Sequence, residues 1–188
     1  LQIILISGKS NSGKGTVAKT IEESLINQNE HVIRCSLSTY IRNIAKNDFY
    51  WDGIDTLESR IFMGEVYRIG TDFYPYHMAR RVWERDIKPY ANKHTIAIVE
   101  SFREKVNYDY FNMLLKEEEN MIDNIITIRV TRPDFNAIND EIMESHVSES
   151  DLDNFPFDYH IENNGTIEEL YNQVIEQIHN TIERIKNE

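Results

Sequence analysis

A short apolar run, Gln2–Ser7, leads straight into Gly8-Lys-Ser-Asn-Ser-Gly13-Lys14-Gly15-Thr16, and a helical pattern opens at the lysine. No other feature of the chain limits its fold so sharply. A buried strand, a GxxxxGK loop and a helix, in that order, make a cradle for phosphate. The glycines let backbone N–H groups wrap a β-phosphate, and the start of the helix adds a favourable dipole. Lys14 is set to reach the β- and γ-phosphates and offset charge in transfer. Gly8, Asn11, Ser12, Gly13, Lys14, Gly15, Thr16 and Val17 are the candidate residues for binding ATP phosphates. Position 15 carries no hydroxyl, so a magnesium ion beside it would keep more of its own waters. Thr16 is expected to contact the α-phosphate through its N–H and hydroxyl.

The rest of the chain alternates strand and helix patterns. His31–Ser36, Thr95–Val99, Ile125–Val130 and Asp158–Ile161 read as further strands. Lys14–Asn27, Leu37–Asn47, Leu57–Arg68 and Phe73–Tyr90 read as helices, Pro75 being tolerable in a first turn. Ile167–Ile185 reads as an amphipathic helix with Leu170, Val174, Ile178, Ile182 and Ile185 on one stripe. Alternation of this kind implies an α/β fold: a five-stranded parallel sheet with helices on both faces, in three layers. The 188 residues suit one domain, 1–188, with no internal repeat or linker. Residues 137–156 hold six acidic residues and no Lys or Arg. Two readings stay open for that segment: a solvated loop, or part of a lid, about 133–156, that closes over nucleotide.

Formal net charge is −12. A polyanion is a poor partner for nucleic acid or an anionic membrane, so any anionic substrate must be met by a local cluster of cations. The one cysteine, Cys35, excludes an intrachain disulfide. With no apolar run of membrane-spanning length and no signal peptide, a cytoplasmic protein is expected. The cations concentrate in Arg68-Ile-Gly-Thr-Asp72-Phe-Tyr-Pro-Tyr-His-Met-Ala-Arg80-Arg81-Val-Trp83-Glu-Arg85. Asp72 or Thr71 is placed to cap the helix that follows. Guanidinium groups bind phosphate bidentately, and an aromatic beside them lines a base or sugar pocket. Arg80, Trp83 and Asp72 are therefore candidate acceptor residues within a helical region, about 37–91. Arg42, just after the second strand, joins them. For each arginine, a salt bridge to one of the many carboxylates is the competing reading.

Gly-Lys-Gly-Thr resembles adenylate kinase and its relatives. Ile69-Gly-Thr-Asp72 with Arg80 and Trp83 resembles the acceptor segment of phage deoxynucleoside monophosphate kinases, a family of P-loop kinases. The resemblance takes in Ser12-Gly13-Lys14, where those kinases often carry Asp in place of Gly15. It continues through Ile98-Val99-Glu-Ser-Phe-Arg103, Arg132-Pro, His146-x-Ser148-Glu149, and Asp158 through Ile161-Glu-Asn163-Asn-Gly165-Thr-Ile-Glu-Glu-Leu170. These motifs lie in the family's order over most of the chain. They imply a P-loop NTPase fold, ATP and Mg2+ as cofactors, and a small phosphorylated acceptor, a (deoxy)nucleoside monophosphate. Arg103 is then an acceptor-phosphate ligand, and Arg132 swings over the γ-phosphate during transfer, which gives Lys14, Arg103 and Arg132 as the catalytic set. The loop with Asn163 and Gly165 lies against the adenine in related kinases, although Thr166 with Glu169 also reads as a capping box. A homodimer is left open.

One position departs from the family. Its third strand ends in Asp-x-Arg, and that Asp falls on Ser101. Alternation puts Glu100 and Ser101 on opposite faces of the strand, so Glu100 is expected to stand apart from the missing carboxylate's place. Two other functions stay open. Ser148-Glu149-x-x-Leu152-Asp153-Asn154-Phe155 and the residues after it are also similar to animal phosphomevalonate kinases. Ser101 leaves room for a nucleotide-binding protein without efficient catalysis.

Overall fold

The computed structural model describes residues 1–116, 122–133 and 151–186. The described elements, in chain order, are β1 (Gln2–Ser7), α1 (Lys14–Asn27), β2 (His31–Ser36), α2 (Thr39–Asp48), α3 (Leu57–Phe73), α4 (His77–Val82) with a π-helical turn (Trp83–Ile87), β3 (Thr95–Phe102), α5 (Lys105–Lys116), β4 (Asn124–Thr131), β5 (Tyr159–Glu162) and α6 (Ile167–Lys186). The strands form one parallel sheet in the order β2-β3-β1-β4-β5.

Isoleucine and valine dominate the three central strands, β3, β1 and β4, because both of their faces are covered. Ile4, Ile6, Ile98, Ile126 and Ile128 pack beneath α1 and α6. Ile3, Leu5, Ala97 and Val99 face the other way, under residues of α2, α4 and α5. The edge strand β5 is short but well anchored. The Thr127 N–H and hydroxyl both donate to Asp158 Oδ2 at 2.7 Å, and Asp158 N–H returns a bond to Thr127 Oγ1 at 3.0 Å. The expected stripe of α6 is buried at Leu170, Val174 and Ile178. The side chains of Ile182 and Ile185 lie outside the described residues.

The helices between β2 and β3 differ from expectation. α3 continues to Phe73, which puts Thr71 and Asp72 inside it instead of at the cap of the next helix. Thr71 Oγ1 donates back to Tyr67 O at 3.0 Å. The helix expected from Phe73 to Tyr90 is broken at its start. Pro75 disfavours helical backbone in the residue before it, and Tyr74 is extended at φ −148°, ψ 103°. α4 then begins at His77 and widens into the π turn, closed by Lys88 N–H on Trp83 O at 2.8 Å. The sequence reading also missed α5, although Val106, Tyr110, Phe111, Leu114 and Leu115 fall at helical spacing. Among the described residues, no helix is long and apolar enough to cross a membrane. Cys35 lies in β2 with its Sγ 3.7 Å from Ile98 O, and burial pushes its thiol up to about 12, so it stays protonated at neutral pH.

Candidate active site

β1 ends at Ser7, and the phosphate loop begins at the next residue. Gly8 has φ +154° and Gly13 φ +97°. A Cβ on Gly8 would strike Val130 O and Ser12 Oγ, and one on Gly13 would strike the Asn163 amide. Both glycines are therefore required by space as well as by backbone conformation. Asn11 also takes a left-handed turn at φ 58°. Gly13 is the N-cap of α1 and supplies no side-chain cap, so the first N–H groups of the helix are left to the loop. Lys14 Nζ donates to Gly8 O at 2.7 Å and Lys9 O at 2.6 Å, which folds it over the loop it belongs to. Ser12 is buried, and its Oγ has no hydrogen-bond partner among the described residues. Gly15 and Thr16 are exposed at the helix start. Val17 differs from its expected role: its side chain is in the core, and its N–H donates to Gly13 O at 3.0 Å.

Asn163 reaches this loop from the far side of the sheet. Its Nδ2 donates to Ser12 O at 3.0 Å. Beyond it, the capping box forms as read: Glu169 N–H donates to Thr166 Oγ1 at 3.2 Å, and Thr166 N–H to Glu169 Oε2 at 2.7 Å. A Cβ on Gly165 would strike the Glu169 carboxylate that completes this box.

β3 and β4 flank β1, and each ends in an arginine at the same edge of the sheet. Arg103 follows Phe102, and Arg132 follows Thr131. Arg103 is half-buried and Arg132 exposed. Both strands therefore end beside the phosphate loop that follows β1. A third arginine, not among the sequence candidates, also reaches the base of the loop. Arg129 Nη1 donates to Ser7 Oγ at 2.9 Å, directly beneath Gly8, and Nη2 donates to Asp153 Oδ1 at 3.0 Å.

The end of β3 corrects the expectation for Glu100. The register with β1 jumps from Ile6↔Glu100 to Ser7↔Phe102, so Ser101 is an extra residue in a bulge. Ser101 takes φ 63°, and Phe102 packs with Val99 where strict alternation would have set it opposite. Ser101 Oγ lies 3.0 Å from Ser36 Oγ and 3.2 Å from Ser38 Oγ. Glu100 faces α1, and its Oε2 lies 3.6 Å from where a Cβ on Gly15 would be. A carboxylate therefore does stand beside the phosphate loop, one position before the expected one.

The remaining acceptor candidates are spread over α2–α4. Trp83 is 3 % exposed and belongs to the core beneath the sheet, so its ring packs the fold and lines no open pocket. Asp72 is exposed and pairs with Arg68 at 2.9 Å. Arg80 is exposed, with its guanidinium 5.8 Å from the centre of the Tyr74 ring. Arg81 lies with its guanidinium 3.7 Å from the centre of the Tyr40 ring. Arg42 is exposed on α2; Arg60 hydrogen-bonds Asp55 and, with the weaker field of Arg42, holds that carboxyl below its ordinary value. A polar cluster unmarked in the sequence lies where α5 begins. Burial raises the Glu104 carboxyl and, together with the charge of Glu104, raises the Tyr67 phenol. Asn107 Nδ2 donates to the phenol at 3.5 Å. His146, Ser148, Glu149 and most of the expected lid lie outside the described residues.

No protein-family model and no curated protein sequence matches the chain. Solved structures do. Thymidylate kinase from Ehrlichia chaffeensis is similar at 17% identity with a TM-score of 0.53, over 94% of this chain and 98% of that one. Gluconokinase from Sinorhizobium meliloti is similar at 13% identity and 0.52, over 98% and 95%. The APS kinase of Mycobacterium tuberculosis, in complex with AMPPNP and APS, is similar at 11% identity and 0.52, over 95% and 97%. At these identities the likeness speaks for architecture, and the architecture is the P-loop NTPase fold that the loop, the strand order and the helix layers describe.

Proposed function

We propose that this chain transfers the γ-phosphoryl group of ATP to a small phosphorylated acceptor, a (deoxy)nucleoside monophosphate, giving the diphosphate. The observation that carries the reading is the strand order. It sets the loop of Lys14 between two strands that end in Arg103 and Arg132. A pure nucleotide binder has no need of cations on both sides of its phosphate loop.

The backbone N–H groups of residues 11–16 cradle the ATP phosphates, with Lys14 leaving the loop carbonyls for the β- and γ-oxygens. Arg103, with Arg80 and Arg42 from the helical region, holds the acceptor phosphate. Arg132 meets the charge on the γ-phosphoryl group as it passes in line to the acceptor oxygen. Such a transfer depends on positioning and charge neutralisation. A phosphate monoester is ionised near neutral pH, so no general base is needed. Magnesium fits the residues present. Gly15 leaves room for its waters, and the outward oxygen of Glu100 would receive them. When bound, the ion would neutralise charge on the β- and γ-phosphates.

The burial of Trp83 favours a second reading. It withdraws the aromatic that was expected to line a base or sugar pocket beside the arginines. A phosphorylated acceptor without a base, phosphomevalonate being the example, then fits the same cations. Coupled ADP release with Mg-ATP, against a panel of ribo- and deoxyribonucleoside monophosphates plus phosphomevalonate, tests both. Turnover on one or a few nucleotides is expected. Turnover on phosphomevalonate alone replaces the first reading with the second, and ATP binding without turnover on any member counts against both.

A further inference from the structure

Arg34 stands in β2 on the face that meets α1, and its guanidinium touches three residues, one on β3 and two on α1. Nε donates to Glu100 Oε1 at 2.7 Å, Nη1 to Glu22 Oε2 at 3.0 Å, and Nη2 to Gly15 O at 3.4 Å. The Glu100 carboxylate is thereby divided. One oxygen is held on Arg34, and the other is the one beside Gly15. Glutamate has three side-chain torsions, and a carboxylate that is to accept bonds from metal-bound water must keep one of their settings. A planar guanidinium with donors on two sides fixes such a setting better than a point charge does. Arg34 also stands between two carboxylates, Glu22 and Glu100, that would otherwise repel each other.

We propose that Arg34 is a positioning residue for nucleotide-bound magnesium: it holds Glu100 with one oxygen turned toward Gly15, where the waters of the ion are received. The inference rests on the phosphoryl-transfer reading. It differs from an ordinary structural ion pair in what it predicts. A brace between β2, β3 and α1 would alter stability and leave metal response alone.

The experiment is calorimetric binding of ATP to the full chain, once with Mg2+ and once in EDTA. The ratio of the two Kd values gives the gain due to metal, and thermal melts follow the fold in parallel. The wild-type chain is expected to bind Mg-ATP more tightly than ATP alone. Glu100→Gln and Arg34→Gln should each cut that ratio by about tenfold, the usual scale for a hydrogen bond to a charged group. Arg34→Lys should recover part of it. The double variant should lose no more than Glu100→Gln alone, because Arg34 acts through Glu100. A wild-type ratio retained in Arg34→Gln, with only the melting temperature lowered, overturns the proposal. So does a wild-type chain that binds ATP equally with and without metal. A wild-type chain that binds no ATP at all overturns the phosphoryl-transfer reading itself, and the inference with it.

Discussion

At the scale of single residues, the site is built from groups whose place is set by their immediate neighbours. Lys14 is held by two carbonyls of its own loop at 2.6–2.7 Å. In the proposed transfer its work is electrostatic, so Lys14→Ala should lower turnover by at least about a hundredfold. The melting temperature should stay within about 2 °C, since loop carbonyls freed from Nζ are returned to water. Stopped-time ADP release and a thermal melt on one preparation check both halves, and an unchanged rate would remove Lys14 from the machinery. The phosphate loop was legible because its glycines answer to steric demands that sequence records: Gly8 faces the Val130 carbonyl, and Gly13 faces Asn163. Ser101 was not legible in the same way. A left-handed serine in a bulge carries no glycine or proline to mark it, and alternation across it sent Glu100 to the wrong place. Trp83 failed for a different reason. Arg81 and Arg85 stand two residues to either side of it, but its own position falls on the inward side of the π turn.

At the scale of elements, the turn into α6 joins the phosphate loop to the fold. Asn163 holds Ser12, and three residues later Thr166 and Glu169 cap the helix that packs on α1. The Thr166 N–H, then its hydroxyl, holds the Glu169 carboxyl below its ordinary value of 4.5. A carboxyl depressed in the folded state stabilises the protein above its unfolded value and loses that contribution as pH falls through the folded one. Glu169→Ala should therefore lower the melting temperature by about 2 °C at neutral pH, and by progressively less below pH 4.5. Melts across pH 3–7 read the difference, and a gap that widens in acid would reverse the assignment. The long, regularly patterned elements were legible: β1, α1, β2 and α6 start where their patterns start. The stretch from α3 to the π turn was less so, because Pro75 acts through the backbone of the residue before it. Two helices were expected there, Leu57–Arg68 and Phe73–Tyr90, but the first runs on to Phe73 and the second begins only at His77.

At the scale of the whole molecule, the sheet order gathers cations in a chain that is acidic overall. Formal charge is −12 over the chain, yet β3, β1 and β4 deliver Arg103, Lys14 and Arg132 to one edge. Order among parallel strands is set by crossovers and packing, which no local motif encodes. Local patterns therefore offered the three cations separately; the family resemblance grouped them, and the strand order gives the physical reason, setting β1 between β3 and β4. Their separate positions imply separate duties. Arg103 lies on the side of α2 and α5, because β3 is followed by α5 and paired with β2, which leads to α2. Arg132 lies at the entrance to the expected lid. Arg103→Ala should thus raise the acceptor KM by about tenfold, the scale of one charged hydrogen bond, with little change in the KM for ATP. Arg132→Ala should lower kcat by about a hundredfold or more, because its charge is needed most as the phosphoryl group moves. Steady-state kinetics with each substrate varied in turn separates the two. If both variants changed only the KM for ATP, the two arginines would be donor ligands alike, and the division of the edge into acceptor and transfer sides would fall.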